Sequence, residues 1–186
     1  MKINRLFGLI ILALGLILLG VALWQPKPLI IENKTNTNLQ LTLKNLTTGG
    51  EINPLYTCDD KGYSPPFEIG GVPAGAQTLA LTVIDPDAPN GQFVHWLMWN
   101  LSPETKELIE DTLPIGVTTG TGSAGRVGYV GPCPPKGTHH YVFKLLALDT
   151  KLDLPVSTTL TEFNNAVAGH ILATAETVAT YTRQAK

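Results

Sequence analysis

Two aspartates and a histidine are concentrated where one apolar segment of the chain ends and the next begins. The stretch LTVIDPDAPNGQFVHWLMWN, residues 81–100, places Asp85 and Asp87 directly after a strand-like segment and His95 inside the following one. Two carboxylates beside an imidazole suit three kinds of site: a catalytic acid pair, a metal centre, or a pocket that holds an anion without reacting with it.

A second polar cluster follows a loop rich in glycine and proline. In GYVGPCPPKGTHHYVF, residues 128–143, prolines fix the backbone and glycines let it approach a ligand closely. His139 and Tyr141 are two residues apart on the predicted strand after this loop, so their side chains point to the same face. Because a protonated imidazole and a phenolic hydroxyl both donate hydrogen bonds, this cluster favours binding of an oxyanion.

Catalysis is one competing interpretation of the aspartates. In phosphatases of the haloacid-dehalogenase type, the two aspartates of a D-x-D motif serve as nucleophile and general acid. Here no later acidic pair is placed to hold magnesium, and no lysine stands on a matching strand and loop. Ser64 and Ser123 have no evident base partner in the motifs.

A metal site and simple packing would also account for some of these side chains. Asp85 and Asp87 with His95 and His139 offer oxygen and nitrogen ligands, but the short paired spacing of a dedicated zinc site is missing. A histidine within an apolar strand is often only packed and hydrogen-bonded, and His95 has apolar neighbours on both sides.

The elements that must position these residues are predominantly strands. Strand-like patterns cover LQLTLKNL (39–46), QTLALTVID (77–85), FVHWLMWNL (93–101) and HHYVFKLLALD (139–149). The second of these is apolar on both faces, which predicts a central strand. Thr159 and Glu162 form a predicted capping box for one amphipathic helix. Its apolar face is predicted to comprise Phe163, Ala166, Val167, His170, Ile171, Ala175, Val178 and Tyr181.

The N-terminus differs from the rest of the chain. Lys2 and Arg5 precede an uncharged apolar run from Leu6 to Trp24, which is long enough to cross a bilayer as a helix. Residues 1–24 are therefore predicted to be a membrane anchor or a cleaved signal segment, residues 25–38 a linker, and residues 39–186 the folded domain. This predicts a single-pass protein of the cell membrane with its domain outside the cytoplasm, or a secreted or periplasmic protein after cleavage.

Composition excludes one class of partner. The formal net charge of the 186-residue chain is −2, and charged residues make up 15% of it. A chain without a basic surface excess is not expected to bind nucleic acid.

The motifs DPDAP, HW and GPCPPKGTHHYVF, together with YTCDDKGYSPPFEIGG and the terminal HILATAETVATYTR, resemble the phosphatidylethanolamine-binding protein family. The resemblance covers residues 53–183 in the same order and is strongest to the bacterial and archaeal branch named for its similarity to Raf kinase inhibitor protein. It implies a mainly β fold, with an antiparallel central sheet, a second small sheet and a C-terminal helix. It also implies a small pocket for phosphate-like head groups.

Carried over motif by motif, the resemblance assigns ligand binding to Asp85, Asp87, His95, Gly131, Pro135, His139 and Tyr141. This chain departs from the family's usual pattern where His140 replaces the arginine after the second pocket histidine. Strand alternation points His140 away from His139, so the change is expected to affect the rim of the pocket or the support of an aspartate.

The chain has two cysteines, Cys58 and Cys133, in loops near the predicted pocket. In an oxidising exterior, an even pair favours a disulfide. Two free thiols are the alternative, since cytoplasmic members of this branch have cysteines at similar places.

The functional expectation is a binding protein with a small anion pocket for phosphate-like or carboxylate groups, which is not an enzyme, needs no cofactor and could modulate a partner protein. The second hypothesis is a protein inhibitor of a protease or kinase that acts through surface loops, with GVTTGTGSAGR (116–126) as the candidate loop. A metal-dependent hydrolase is the third.

Overall fold

A computed structural model describes residues 38–44, 46 and 50–183. Its main element is a five-stranded antiparallel sheet of β3 (Thr78–Asp85), β4 (Phe93–Leu101), β6 (Thr118–Thr119), β7 (Thr138–Leu148) and β8 (Ile171–Thr182). The strand order is β6-β4-β3-β7-β8. The strand predicted to be central, β3, lies in the middle of this sheet between β4 and β7, and its residues are buried on both faces.

A smaller antiparallel sheet covers one face of the large one. It contains β1 (Gln40–Leu43), β2 (Phe67–Gly70) and β5 (Glu107–Leu108), in the order β1-β2-β5. Leu39, Leu41 and Leu43 are all buried, as their alternation along β1 predicts, and they join a core with side chains from β3, β4 and β7. The mainly β fold with two antiparallel sheets is therefore confirmed.

The opposite face of the large sheet packs against α1 (Leu160–Val167), the α-helix of the described residues. Phe163 and Val167 of α1 contact a cluster that includes Leu97 and Trp99 of β4. The predicted capping box is present, because the Thr159 hydroxyl accepts from the backbone N–H of Glu162 while the Glu162 carboxylate accepts from that of Thr159.

The predicted length of this helix is wrong. The helix ends at Val167, Gly169 adopts a left-handed conformation with φ of 83°, and β8 begins at Ile171. From Ile171 onward the chain pairs with β7 along its whole length, and the alternate residues Ala173, Thr177, Ala179 and Tyr181 are buried. The hydrogen bonds of the sheet therefore outweigh the helical spacing of the apolar residues in this segment.

The predicted membrane location needs correction. Among the residues that the structure describes, no helix has both the length and the apolar character needed to cross a bilayer. The apolar run from Leu6 to Trp24 and the linker up to residue 37 lie outside the described residues. The prediction of a single-pass membrane protein is therefore withdrawn.

Candidate functional site

A cavity of about 230 Å³ lies at the edge of the large sheet where β3 ends and β4 and β7 begin. It brings together the two polar clusters, which are far apart in the sequence. The cavity is lined by Asp85, Ala88, Pro89, Phe93, His95, Val130, Gly131, Cys133, Pro134, Pro135 and His139. Five of the seven predicted ligand-binding residues lie on this wall: Asp85, His95, Gly131, Pro135 and His139.

A buried carboxylate–imidazole pair forms one side of the cavity. The His139 Nδ1 lies 2.7 Å from the Asp85 Oδ2, and the two side chains are 8% and 6% exposed. The other Asp85 oxygen accepts the backbone N–H of Asp87 at 2.8 Å, which closes the turn after β3. Asp85 thus fixes the His139 ring and leaves its Nε2 for the cavity.

The second imidazole is fixed by a backbone carbonyl instead of a carboxylate. The His95 Nδ1 donates to the Val130 carbonyl oxygen at 2.6 Å. Because a carbonyl oxygen only accepts, Nδ1 carries the proton of the neutral ring and Nε2 carries a lone pair. Phe93 and Tyr141 pack on the His95 ring at centroid distances of 4.7 and 5.2 Å, which fixes its orientation.

Burial lowers the pKa of His95, while the Val130 carbonyl and the Asp85 carboxylate act in the opposite direction and His139 adds to the lowering. A folded-state pKa below the ordinary value of 6.5 means that the unfolded chain binds a proton before the folded protein does. The stability that the neutral, buried His95 ring contributes is therefore complete above the unfolded-state pKa. It is lost as the pH falls from there to the folded-state pKa.

We accordingly expect the free energy of unfolding to decrease between about pH 7.5 and pH 5.5 more in the wild-type protein than in His95→Gln. Urea unfolding of both proteins across this range measures the difference. Parallel pH profiles would contradict a neutral, buried His95.

Asp87 and His140 form a second pair outside the cavity. One Asp87 oxygen, Oδ2, accepts from the His140 backbone N–H at 2.8 Å and lies 2.7 Å from the His140 Nδ1. These hydrogen bonds, the one to the ring first, lower the pKa of Asp87. The structure thus places Asp87 at the exposed rim and not on the cavity wall, with His140 as its support.

Tyr141 lies beneath the cavity and is not part of its wall. It is fully buried, and within the described residues its hydroxyl has no hydrogen-bond partner. Burial, with a smaller effect of Asp85 and Asp87, raises the pKa of the phenol. Its edge-on contact with the His95 ring assigns it a packing role in this structure.

The loop that closes the cavity is tied to a second loop by a disulfide between Cys58 and Cys133, whose Cα atoms are 5.4 Å apart. The predicted disulfide is therefore present. The Cys58 backbone N–H also donates to the Pro132 carbonyl at 3.0 Å, and the Tyr129 hydroxyl donates to the Tyr56 carbonyl at 2.9 Å. The position of the cavity wall thus depends on contacts between residues 56–58 and 129–133.

Gly131 allows this close approach. A Cβ added there would lie 3.0 Å from the Thr57 Cα and from the Tyr56 carbonyl oxygen, both of which are backbone atoms. Since the disulfide prevents the two loops from separating, we expect Gly131→Ala to lower the free energy of unfolding by about 1–3 kcal/mol. Urea unfolding measures this loss, and a variant as stable as the wild type would contradict the proposed tight contact.

The sequence-based prediction missed several wall residues. Phe93 stands two residues before His95 on β4, so strand alternation could have placed it on the same face. Ala88 and Pro89 belong to the DPDAP motif and Pro134 to GPCPP, but their apolar side chains carry no chemistry that marks them as wall residues. The contribution of Val130 is a backbone carbonyl, which residue type cannot reveal.

Metal coordination finds no support in this geometry. Across residues 38–44, 46 and 50–183, no group of three or more His, Cys, Asp and Glu side chains is placed to hold a metal ion. Asp87 lies at the rim with His140, away from the wall that carries Asp85, His95 and His139.

Comparison with known proteins identifies the family. The model of the phosphatidylethanolamine-binding protein family matches residues 42–182. The chain belongs to this family. A UPF0098 protein of Methanothermobacter thermautotrophicus is 42% identical over 139 residues, which cover 72% of this chain and 92% of that protein. A UPF0098 protein of Chlamydia muridarum is 40% identical and covers 77% of this chain and 98% of its own length.

Two crystal structures of phosphatidylethanolamine-binding protein relatives have the same fold. A homologue from Chlamydia trachomatis superposes with a TM-score of 0.76 at 38% identity, over 80% of this chain and 99% of that one. YbcL of E. coli superposes with a TM-score of 0.74 at 31% identity, over 78% of this chain and 99% of its own.

Proposed function

We propose that this member of the phosphatidylethanolamine-binding protein family binds a small anion, a phosphate-like or carboxylate group, in the cavity between His95 and His139. One observation carries the proposal: both rings are fixed through Nδ1, so the two Nε2 atoms are available to a ligand in the same small cavity. Each Nε2 can bind an oxygen of a phosphate-like or carboxylate group through one shared proton, which either the ring or the ligand carries.

The size and lining of the cavity support binding of a head group and not of a large ligand. Its volume of about 230 Å³ is below the range of about 300–1,000 Å³ that is usual for drug-sized ligands. Away from the histidines the wall is formed largely by Ala88, Pro89, Phe93 and Pro135, so the substituent of the anion would meet apolar surface.

Binding without catalysis is the simpler proposal for these side chains. Among the lining residues within the described part of the chain, none has a hydroxyl, a free thiol or an amine to act as a nucleophile, because the Cys133 sulfur is in the disulfide. The Asp85 carboxylate already accepts the Asp87 backbone N–H and lies 2.7 Å from the His139 Nδ1. The Ser123 hydroxyl, which stands near β4, accepts the Val94 backbone N–H at 2.8 Å.

The inhibitor hypothesis needs an extended loop that a target can grip, and the hydrogen bonds within residues 116–126 favour it less than the anion site. The Gly120 and Ser123 backbone N–H groups donate to the Leu97 and Val94 carbonyls of β4, and the Gly122 N–H donates to the Arg126 carbonyl. These bonds hold part of the segment against β4, while residues 123–126 are exposed. Modulation of a partner protein stays a prediction.

Isothermal titration calorimetry of the full-length chain with inorganic phosphate tests the proposal. We expect tighter binding at about pH 6 than at about pH 8, and a loss of affinity of about tenfold or more in His139→Gln.

His170→Gln is the matched control, because His170 also pairs with a carboxylate, Asp149 at 2.8 Å, but on the exposed surface. It should bind phosphate as the wild type does. Absence of binding heat at both pH values would overturn the proposal. Equal phosphate affinity of His139→Gln and His170→Gln would overturn it as well.

A further inference from the structure

The two histidines of the cavity are not equivalent, because different groups hold them. The His95 Nδ1–H is committed to the Val130 carbonyl, so the neutral ring presents a hydrogen-bond acceptor to the cavity. The His139 Nδ1 faces the Asp85 carboxylate, whose negative charge can offset an imidazolium that donates from Nε2. With the His139 ring protonated on both nitrogens, the cavity offers one acceptor, the His95 Nε2, and one charge-assisted donor, the His139 Nε2.

An anion that matches this pair must both accept and donate. Hydrogen phosphate and a singly protonated phosphate monoester have an ionised oxygen for His139 and a P–OH for the lone pair of His95. A phosphodiester or an ionised carboxylate has acceptors only, so one of its oxygens would face the His95 lone pair. An acceptor placed against an acceptor loses a hydrogen bond that both groups make in water.

We propose that the site selects a phosphate or phosphate monoester that retains one proton over a phosphodiester. This inference rests on the proposed anion site and adds the class of its ligand. The proton between the ligand oxygen and the His95 Nε2 is the feature that is recognised.

Because of the groups around His95, the ring does not carry the shared proton before the ligand binds. The groups that face the ring are Asp85 at the end of β3, His139 and Tyr141 on β7, and Phe93 on its own strand. Burial is the largest influence and lowers the pKa of His95, so the empty site does not hold the proton at neutral pH. A monoester has a second pKa of about 6 and can take up this proton when it binds, whereas a diester has none to offer near neutrality.

The source of the phosphate group follows from the same distinction. Head groups of the phosphatidylethanolamine type are phosphodiesters, whereas free phosphate, phosphorylated metabolites and phosphorylated side chains carry monoester or inorganic phosphate. The proposal therefore favours a monoester or inorganic phosphate as the ligand of this chain, and it makes the diester head group the alternative outcome of the test.

Calorimetric titration of the full-length chain with methyl phosphate and dimethyl phosphate tests this inference. The titrations are run at about pH 7.5 in two buffers with different enthalpies of ionisation, which gives the number of protons taken up. We expect methyl phosphate to bind at least about tenfold more tightly and to take up about one proton per site.

His95→Gln is the diagnostic variant, because its side-chain amide can present an N–H to the cavity. It should bind both compounds with similar affinity and with the same proton uptake for each, while His170→Gln should keep the wild-type preference. Equal binding of the two compounds by the wild type, tighter binding of the diester, or a preference without proton uptake would overturn the inference and leave the anion site intact. If inorganic phosphate and both esters fail to bind, the proposed function itself fails.

Discussion

Asp85→Ala is expected to lower the free energy of unfolding by about 3–5 kcal/mol, because it leaves the buried His139 ring without its partner. The substitution removes the acceptor of the His139 Nδ1 hydrogen bond at 2.7 Å and that of the Asp87 backbone N–H at 2.8 Å. Both side chains of the pair are almost fully buried, so water can reach the lost contacts only from the cavity.

Asp87→Ala is the control, with the same chemical change two residues along the chain. The Asp87 carboxylate pairs with His140 at the exposed rim, where ion pairs contribute about 1 kcal/mol or less. Urea unfolding of both variants measures the difference. Equal losses of unfolding free energy in the two variants would contradict the structural role of Asp85. An unchanged phosphate affinity in Asp85→Ala would contradict its role in orienting His139.

Removal of the Cys58–Cys133 disulfide is expected to have the second largest effect. The bridge joins positions 75 residues apart and is expected to contribute about 2–4 kcal/mol, chiefly by restricting the unfolded chain. Because Cys133 also lines the cavity, the loop that carries Gly131 and Pro135 should lose its fixed position, and phosphate binding should weaken as well.

A double variant, Cys58→Ser with Cys133→Ser, tests both effects by urea unfolding and calorimetry. Addition of a dithiol reductant should bring the wild type to the stability and affinity of the double variant and leave the double variant unchanged. A reductant effect of equal size on both proteins would show that it acts elsewhere, and unchanged stability in the double variant would contradict the contribution of the bridge.

The sequence predicted the strands better than the C-terminal segment. The period-two pattern located β1 and the apolar character of β3 placed it at the centre, since both follow from local burial. The segment after Gly169 satisfies helical spacing and strand alternation alike, and only its pairing with β7 decides between them. That pairing is a tertiary contact, which local pattern does not contain.

Within the site, the residue types were predictable and the partners were not. Asp85 and His139 are 54 positions apart, and their contact depends on the register between β3 and β7. The same register places Asp87 beside His140, and together with the register between β3 and β4 it places the Tyr141 ring against that of His95. The proton on the His95 Nδ1 follows from a backbone carbonyl of another loop, so the chemical asymmetry of the two imidazoles has no sequence signature.

Imidazole ¹⁵N NMR of the full-length chain tests the central claim most directly, because the chain has only four histidines. On titration with inorganic phosphate, we expect the Nε2 resonances of His95 and His139 to move, with those of His140 and His170 unchanged. Their Nδ1 resonances should move less, since those atoms keep their bonds to Val130 and Asp85. Stationary His95 and His139 resonances, or equal shifts in all four rings, would contradict an anion held between these two histidines.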